Sequence, residues 1–381
     1  MITLCDKKLC SGCGACFTAC PAQAIEMIWD DEGFVQPQVI RGKCIGCGIC
    51  EKSCPVLSPK KGGDKPTAYG AYNKDELTRA TSSSGGVFTL LAKQVISEGG
   101  VVYGAAFADD LRSVRHIGVE TEEDLALLRG SKYVQSQAFS VFSDVKNHLK
   151  EGRKVLFSGT PCQIEGLRGY LAKRYDNLLC VDMICHGVPS KKVWHKYIEQ
   201  QEKLAGAALT AVSFTDKSNG WNSRCVRLSF ANGTEKIIPH GKDSFMKAFS
   251  ANISLRESCS NCAAKKLNRL SDITIADFWG VNRLSPALYD NKGTSLLMIH
   301  SEKGAAAFEG VRDKLELSQT DLEAAVACNG AATGSATAHP KRKEFFADID
   351  KGSFDEIVSR YVKTKRNLRS ILSAVLRKIK K

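Results

Sequence analysis

Residues 10–21 read CSGCGACFTACP, and residues 44–55 read CIGCGICEKSCP. The second stretch repeats the first 34 positions later, with four cysteines, two glycines and one proline at identical spacing. The CxxCxxC part brings three thiolates to one tight loop, and its glycines let the backbone close around inorganic sulfide. The repeat therefore predicts two cubane 4Fe-4S clusters near the start of the chain.

The fourth cysteine of each run is expected to serve the other run, as in two-cluster ferredoxins. We therefore assign to cluster I the residues Cys10, Cys13, Cys16 and Cys54, and to cluster II the residues Cys44, Cys47, Cys50 and Cys20. The alternative metal is zinc, but zinc takes one tetrahedron of ligands and usually draws them from CxxC pairs. Residues 5 to 56 resemble bacterial two-cluster ferredoxins, which implies single-electron transfer with a partner at each end.

The composition predicts a folded cytoplasmic protein. The 381 residues, 43% of them hydrophobic, are enough for one small and one large domain. No stretch approaches the roughly 18 to 20 apolar residues that cross a bilayer, and the opening MITLCDKKLC lacks the apolar core of a signal peptide. Sixteen cysteines in a reducing compartment indicate metal ligation or redox chemistry rather than structural disulfides.

Positive charge is concentrated at the C-terminal end. The formal net charge is +13, and residues 341–381 hold 13 Lys and Arg against 5 Asp and Glu. Apolar residues at helical spacing from Leu368 to Ile379 predict an amphipathic basic helix over residues 355–381. Such a helix fits peripheral contact with anionic lipid at the inner face of the membrane, and packing on the protein's own body explains it equally well. No nucleic-acid module is recognised, so no nucleic-acid partner is expected.

The chain divides into three predicted segments. Residues 1–58 form the ferredoxin domain, and the following LSPKKGGDKP (57–66) is too rich in lysine, proline and glycine to build a core. Residues 67–340 alternate apolar runs with amphipathic helices, which predicts an α/β domain, and residues 341–381 form the basic helical tail. The fold class of the whole chain is thus predicted as α+β.

Strands and helices can be placed from these patterns. Strands are predicted over residues 101–107, 154–158, 178–184, 211–215, 225–230, 273–276 and 295–300. Helices are predicted over residues 85–96, 137–149, 163–171 and 192–203.

Four cysteines of the large domain are candidates for a third cluster. Cys162 follows one predicted strand, Cys185 ends another, and Cys259 and Cys262 form a CxxC pair. Strand ends at one edge of a sheet gather in space, so the pair can complete a set of four ligands. The alternative for each thiol is a buried, inert cysteine.

Two loops favour an anionic ligand. SSSGG (82–86) directly precedes an apolar-periodic helix, whose free N–H groups and positive dipole end suit a phosphate. GSKYVQS (130–136) adds a lysine and hydroxyl groups in a short loop. An ordinary capped helix is the alternative. The sequence contains no GxGxxG motif after a predicted strand and no GxxxxGK[ST] motif. Neither a Rossmann dinucleotide site nor a P-loop is therefore supported.

Six motifs together resemble the beta-subunit family of coenzyme F420 hydrogenases and dehydrogenases: SSSGG, GSKYVQS, VLFSGTPCQIEGL, VDMICHGVPS, CSNC and SDITIADFWG. The resemblance implies a flavin-binding α/β domain that holds FAD and a 4Fe-4S cluster, three clusters in all. It implies cluster III ligands Cys162, Cys185, Cys259 and Cys262, and flavin contacts Ser84, Gly85, Gly86, Lys132 and Tyr133. Asp272, Asp277 and Trp279 line the site or support the fold.

The fused two-cluster module departs from the hydrogenase beta subunits and looks more like the family's stand-alone reductases. The sequence therefore predicts an iron-sulfur flavoprotein oxidoreductase. A low-potential donor such as a reduced ferredoxin would supply electrons for FAD and a small organic acceptor, either a deazaflavin or a polysaccharide-pathway intermediate. The alternatives are a non-catalytic electron-transfer subunit of a larger complex and an iron-sulfur sensor.

His186 is the candidate proton donor, although a histidine at a strand end is often satisfied by backbone. Four further cysteines have no assigned role: Cys5, Cys180, Cys225 and Cys328.

Overall fold

The computed structural model describes residues 4–363, which contain fourteen β-strands and fourteen α-helices. The strands are β1 Ile25–Trp29, β2 Val35–Val39, β3 Thr67–Asn73, β4 Val101–Phe107, β5 Val114–Val119, β6 Ser136–Gln137, β7 Val155–Gly159, β8 Leu178–Met183, β9 Leu209–Asp216, β10 Cys225–Phe230, β11 Glu235–Pro239, β12 Ile273–Asp277, β13 Ser295–Ile299 and β14 Leu315–Gln319. The helices are α1 Ala15–Ala19, α2 Ile49–Ser53, α3 Glu76–Ala80, α4 Val87–Ser97, α5 Leu125–Leu128, α6 Phe142–Lys150, α7 Pro161–Leu171, α8 Lys191–Ala205, α9 Ser244–Ser250, α10 Val281–Leu284, α11 Glu302–Glu309, α12 Leu322–Ala327, α13 Arg342–Asp348 and α14 Phe354–Tyr361.

The ferredoxin domain has two similar halves and a β-hairpin. In each half a glycine in the left-handed region, Gly14 (φ 71°) or Gly48 (φ 69°), precedes a five-residue helix. Glycine adopts this conformation without the Cβ penalty of other residues, so the repeated glycines turn each cysteine loop into its helix. Strands β1 and β2 pair antiparallel, with Ile25 opposite Val39.

A nine-stranded mixed sheet forms the body of the large domain. Its strand order is β14-β3-β13-β12-β8-β7-β4-β5-β6, and the central strands β12, β8, β7 and β4 run parallel. Helices α4 and α11 pack on one face, and α6 and α7 pack on the other. Because both faces are covered, strands such as β13 are buried along their whole length and read as continuous apolar runs.

A second core lies against the three-stranded antiparallel sheet β11-β10-β9. Trp194 and Tyr197 of α8 and Phe245 of α9 are fully buried there against strand residues such as Phe214. The aromatic rings contact one another directly, with centroids 5.1 Å apart for Trp194 and Phe245. This core positions the loop between α9 and β12, which carries the CxxC pair.

Residues 341–363 differ from the predicted separate tail. They form α13 and α14, whose side chains Phe345, Ile349, Ile357 and Val358 are buried in the second core. A helix needs only one apolar face to pack, so its cations can stay exposed and dominate the charge count. Residues 364–381, with the predicted apolar stripe, lie outside the described residues. Peripheral membrane contact through them stays a prediction.

The segment 57–66 packs against the large domain. Lys60 Nζ donates to the carbonyl of Arg168 at 2.7 Å, and Gly63 N donates to the carbonyl of Arg269 at 3.3 Å. A Cβ on Gly62 would stand 2.0 Å from the carbonyl oxygen of Asn268. The connection between the domains is therefore held along its length by backbone contacts.

The predicted α+β fold class is confirmed, and all seven predicted strands and four predicted helices are present. The helix predicted over 137–149 begins as a 3-10 turn, Ala138–Val141, before α6. Strands β3, β5 and β14 lie outside the predicted set, because glycine and alternating polar residues interrupt their apolar pattern. Within the described part of the chain, none of the helices combines the length and apolar character that a bilayer span requires.

Replacing Asp182 with Asn should destabilise the fold strongly. Asp182 of β8 and Arg269 form an ion pair at 3.1 Å whose side chains are 1% and 2% exposed. Removing one partner leaves a buried charge uncompensated, so we expect a loss of about 3–5 kcal/mol in the free energy of unfolding, measured by urea denaturation. The control is Glu323→Gln in the exposed pair with Lys65, where only a small loss is expected because solvent screens the two charges. Equal losses would contradict the prediction.

Candidate iron-sulfur and cofactor sites

The ligand set assigned to cluster I surrounds one cavity. Cys10, Cys13, Cys16 and Cys54 all line it, and its volume is about 430 Å³ with its open mouth included. The backbone N–H of Gly12 donates to Cys10 Sγ at 3.4 Å. Burial raises the pKa of Cys13 to about 12, so this thiol needs positive iron beside it to become a thiolate. The structure brings Cys54 to the first run, as the crossed assignment requires.

The ligand set assigned to cluster II has mixed surroundings. The Sγ of Cys20 accepts the N–H of Ala24 at 3.2 Å. Cys50 is buried and also lines the cluster I cavity, and burial raises its pKa, with the charges of Glu51 and Cys20 adding to the rise. Cys47 is exposed to solvent. The second run therefore has an outward side at Cys47, and the ligation of cluster II by Cys20 stays a prediction.

The glycines of the two runs have opposite surroundings. A Cβ on Gly12 would stand 2.8 Å from the guanidinium of Arg256, and one on Gly14 would stand 2.4 Å from Phe139. The equivalent Gly46 has nothing within 4 Å of such an atom. The first cysteine loop is therefore pressed against the large domain, whereas the second is open to solvent.

The four large-domain cysteines surround a second cavity, which occupies about 660 Å³ with its open mouth included. Cys162, Cys185, Cys259 and Cys262 all line it. Strands β7 and β8 run parallel and end at the same edge, which places Cys162 and Cys185 together, and the 3-10 helix Glu257–Asn261 adds the other two. In residues 4–363, no group of three or more histidine, cysteine, aspartate or glutamate side chains has the arrangement that a single metal ion requires. The four thiols are instead spread around the wall of a cavity.

The cysteines of this cavity are partly buried and make polar contacts. Burial raises the pKa of Cys185 to about 12 and raises the pKa values of Cys162 and Cys259. Val188 N donates to Cys259 Sγ at 3.5 Å, and Thr160 Oγ1 lies 3.2 Å from Cys162 Sγ. Four thiols around one cavity, with polar contacts to sulfur, fit a 4Fe-4S cluster. The assignment of cluster III to these residues stays a prediction.

The cavities of clusters I and III are direct neighbours. Both are lined by Ser11, Pro55 and Val56. On α7, a Cβ at Gly166 would stand 2.9 Å from Cys13 Sγ, and Cys162 lies one helical turn earlier on the same helix. A single helix thus contacts the ligands of both clusters.

His186 lies on the wall of the cluster III cavity. Its Nε2 lies 2.6 Å from Oδ1 of Asn252, whose amide group donates to the carbonyl of Thr337. Because that oxygen only accepts, Nε2 carries the proton and donates it. Burial lowers the pKa of His186, which favours the neutral ring. Its role as a proton donor stays a prediction.

The SSSGG and GSKYVQS loops meet in the structure. Ser83 Oγ lies 2.9 Å from Ser131 Oγ and accepts the N–H of Ser131 at 2.8 Å. Ser84 donates to the carbonyl of Thr294 at 2.8 Å, and Gly85 N donates to Ser295 Oγ at 3.0 Å. Gly86, with φ 80°, begins α4. All three predicted flavin-contact residues of SSSGG therefore sit at the start of one helix.

Two partly buried lysines flank these loops. Lys132 Nζ donates to the carbonyls of Leu127 and Arg129, and desolvation lowers its pKa to about 7. Lys217 Nζ donates to the carbonyls of Arg79, Ser84 and Lys292, and desolvation lowers its pKa to about 8. Neither lysine has a carboxylate within ion-pair distance in residues 4–363, although Asp277 and Asp290 are near enough to Lys217 to raise its pKa. Positive charge beside the two loops fits an anionic ligand such as the diphosphate of FAD.

Tyr133 and Asp277 occupy the region between the loops and the cysteines. Tyr133 packs edge-on against Phe249 with ring centroids 4.8 Å apart, and Phe249 in turn packs against His186. Burial raises the pKa of Tyr133 to about 12, and the charge of Asp277 adds to this rise. Asp277 itself pairs with Arg224 at 2.7 Å.

Trp279 is held in the same region. Its ring stacks on Trp221 with an interplanar angle of 5°, and the guanidinium of Arg224 lies over it at 4.6 Å. Asp272 has a supporting role instead, because it accepts the N–H of Cys180 at 2.7 Å and pairs with Arg168.

The four unassigned cysteines separate into different environments. Cys5 lines the cluster I cavity. Cys180 is fully buried in β8, and Cys225 is fully buried at the start of β10. Cys328 accepts a hydrogen bond from Arg283 at 3.4 Å.

Comparison with known proteins identifies the parts of the chain. Residues 9–57 match the 4Fe-4S dicluster domain. Residues 68–143 match the N-terminal part, and residues 152–324 match the C-terminal part, of the coenzyme F420 hydrogenase/dehydrogenase beta subunit. A comparison with curated proteins found no match. Among solved structures, a chain described as "Xenon derivatization of the F420-reducing [NiFe] hydrogenase complex from Methanosarcina barkeri" is similar, with 16% identity and a TM-score of 0.49 over 76% of this chain and 94% of that one.

The fold and the cysteine sites define an iron-sulfur electron-transfer protein of an oxidoreductase family. The chain belongs to the coenzyme F420 hydrogenase/dehydrogenase beta-subunit family and carries a 4Fe-4S dicluster domain at its N-terminus. The predicted family and its fused ferredoxin module are thereby confirmed.

Several residues at these sites lie outside the sequence prediction. Arg256 and Gln135 contact the first cysteine loop from the large domain, and Lys217 fastens the SSSGG loop. Gln135 belongs to GSKYVQS, but no pattern in the sequence marks it, Arg256 or Lys217 for these contacts. The contact of α7 with the ferredoxin domain could have been predicted from Gly166 and Gly169. Two glycines three residues apart inside a helix indicate the close approach of another backbone.

Cys54→Ser should damage cluster I more than cluster II. Cys54 lines the cavity of the first run, although it belongs to the second run in sequence. We expect selective loss of the cluster I signal in electron paramagnetic resonance (EPR) spectra of the reduced protein. Cys5→Ser is the matched control, because Cys5 lines the same cavity without being an assigned ligand. A larger loss from Cys5→Ser than from Cys54→Ser would show that the ligand assignment is wrong.

Proposed function

We propose that this protein is an iron-sulfur flavoprotein oxidoreductase with three 4Fe-4S clusters and FAD. It would carry electrons from a low-potential donor to an organic acceptor, passing clusters II, I and III in that order. The observation that carries the proposal is the packing of Cys13 on Gly166 of α7, four residues from Cys162. Four residues rise about 6 Å along a helix, so one turn separates the ligands of clusters I and III.

The open face of cluster II supports entry of electrons at that end. Cys47 is exposed, and the neighbouring Ile45 is 70% exposed. Arg41 and Lys43 are also exposed beside this loop. An apolar contact surrounded by cations fits an acidic protein carrier such as a reduced ferredoxin, because complementary charge steers and orients the encounter.

The two loops and two partly buried lysines support FAD. When bound, FAD would supply the conversion between single electrons and two-electron hydride chemistry. Ser83 and Ser131 hold the loops together, and the free N–H groups in the first turn of α4 would suit an anion. Lys132 and Lys217 provide positive charge nearby, and a bound anion would raise their pKa values again.

The acceptor is proposed as a small organic molecule. The family name and the similar solved structure both refer to coenzyme F420, which supports a deazaflavin as one acceptor. A polysaccharide-pathway intermediate is the other candidate. A non-catalytic electron-transfer subunit would share the clusters and lack the flavin.

The iron and flavin contents distinguish these functions. Anaerobically purified protein should contain about twelve iron atoms, four per cluster, and one FAD per chain. Cys162→Ser should reduce the iron content to about eight atoms, because cluster III loses one of its ligands. Cys328→Ser is the control and should leave the full content, since its thiol packs against Gly280 and Arg283 and lines neither cysteine cavity. About eight iron atoms and no flavin in the unsubstituted protein would refute the flavoenzyme.

Lys217→Met should weaken FAD retention at least tenfold while the iron content stays unchanged. The substitution removes a partly buried cation beside the SSSGG loop and frees the carbonyls of Arg79, Ser84 and Lys292 that Lys217 binds. The measurement is flavin released on dialysis, followed by fluorescence, together with iron analysis. Lys303→Met is the control, because Lys303 also donates to a backbone carbonyl, that of Tyr175, far along the chain from the loops. Equal retention by the two variants would exclude this location for the flavin.

A further inference from the structure

The guanidinium of Arg256 lies between the ligand sets of clusters I and III. Arg256 comes three residues before Cys259, whose N–H donates to the carbonyl of Arg256 at 3.0 Å. The side chain is only 2% exposed and lines the cluster III cavity. From there it reaches the ferredoxin domain, where Nε donates to the carbonyl of Cys10 at 2.7 Å and NH2 donates to that of Val35 at 2.9 Å.

Every protein acceptor that Arg256 contacts is neutral. The third contact is from NH1 to Gln135 Oε1 at 3.2 Å. The other two fully buried arginines have carboxylate partners: Arg79 pairs with Asp290, and Arg269 pairs with Asp182. Arg256 has no carboxylate within ion-pair distance anywhere in residues 4–363. A buried cation without an anion is costly, so an anion is expected beside it.

The anions expected beside Arg256 are clusters I and III. A 4Fe-4S core with charge 2+ and four thiolates carries a net charge of −2. Arg256 adjoins the cluster I loop so closely that Gly12 has no room for a Cβ. We propose that Arg256 is the shared counter-charge of clusters I and III, a positioning residue that holds the two sites together and raises their reduction potentials. This inference rests on the third cluster of the proposed function.

The direction of the effect follows from charge. Reduction adds an electron to a centre that is already negative, and a nearby cation stabilises the reduced form more than the oxidised form. Removing the cation should therefore lower the reduction potential. Burial strengthens the effect, because solvent and salt screen a charge in this position poorly.

Arg342 provides a matched control. Its guanidinium also joins the two domains and also lies over the ring of Phe34, at 5.8 Å compared with 5.5 Å for Arg256. Arg342, however, pairs with both carboxylate oxygens of Glu32, at 2.9 and 2.7 Å. The two arginines thus share a docking role, and only Arg256 carries an unpaired charge.

The experiment compares Arg256→Gln, Arg256→Lys and Arg342→Gln with the unsubstituted protein, all purified anaerobically. The readouts are iron per chain and the midpoint potentials of the clusters from EPR-monitored redox titration. In Arg256→Gln we expect the ratio of reduced to oxidised cluster at a fixed potential to fall about tenfold, a shift of about 59 mV for one electron. Arg256→Lys should restore most of the potential, and Arg342→Gln should leave it unchanged.

Unchanged potentials in a fully loaded Arg256→Gln protein would overturn the inference, as would an equal fall in Arg342→Gln. If Arg256→Gln fails to hold iron, normal loading of Arg256→Lys supports the role of charge, and failure of Arg256→Lys overturns it. About eight iron atoms in the unsubstituted protein would instead refute the third cluster itself, which separates failure of the proposed function from failure of this inference.

Discussion

The close approach of α7 to the ferredoxin domain is the contact on which the rest of the arrangement depends. Gly166 packs on Cys13, and a Cβ on Gly169 would stand 2.2 Å from the carbonyl oxygen of Ser53. Larger residues at either position would push the helix away from the cysteine loops. The start of the helix is equally fixed, since Thr160 and Gln163 form a capping box directly after β7. One helix therefore sets the distance between the two domains and the position of Cys162.

The grouping of the cysteines could be predicted from short-range spacing, whereas their ligation of clusters stays a prediction. CxxCxxC loops close on themselves, and parallel strands end at one edge, so Cys162 and Cys185 were expected to be neighbours once β7 and β8 were placed. Long apolar strands such as β8 and β13 could be predicted equally well. Over residues 341–363 the sequence left open whether the basic helical segment packs on the protein, because a count of charges does not reveal which face of α13 or α14 is buried.

The residues that join the sites could not be predicted from the sequence. Arg256 lies 246 positions from Cys10, and Lys217 lies 133 positions from Ser84. Their importance arises from the contacts that they make across these long separations, and for Arg256 from burial without a carboxylate partner, which only the folded arrangement reveals. The same limit applies to Gly12 and Gly46, which are equivalent in the repeat and differ only in what stands opposite them.

Because the connection between the domains is packed, the ferredoxin domain differs from a freely diffusing or loosely tethered electron carrier. A free ferredoxin must find its partner by diffusion in every cycle, and a loosely tethered one still searches within the reach of its linker. Here Lys60 and Gly63 fasten the connection to the backbone of the large domain. Electron transfer between the proposed clusters I and III would therefore have no encounter step, and its rate would not depend on the concentration of the protein or on the viscosity of the solution.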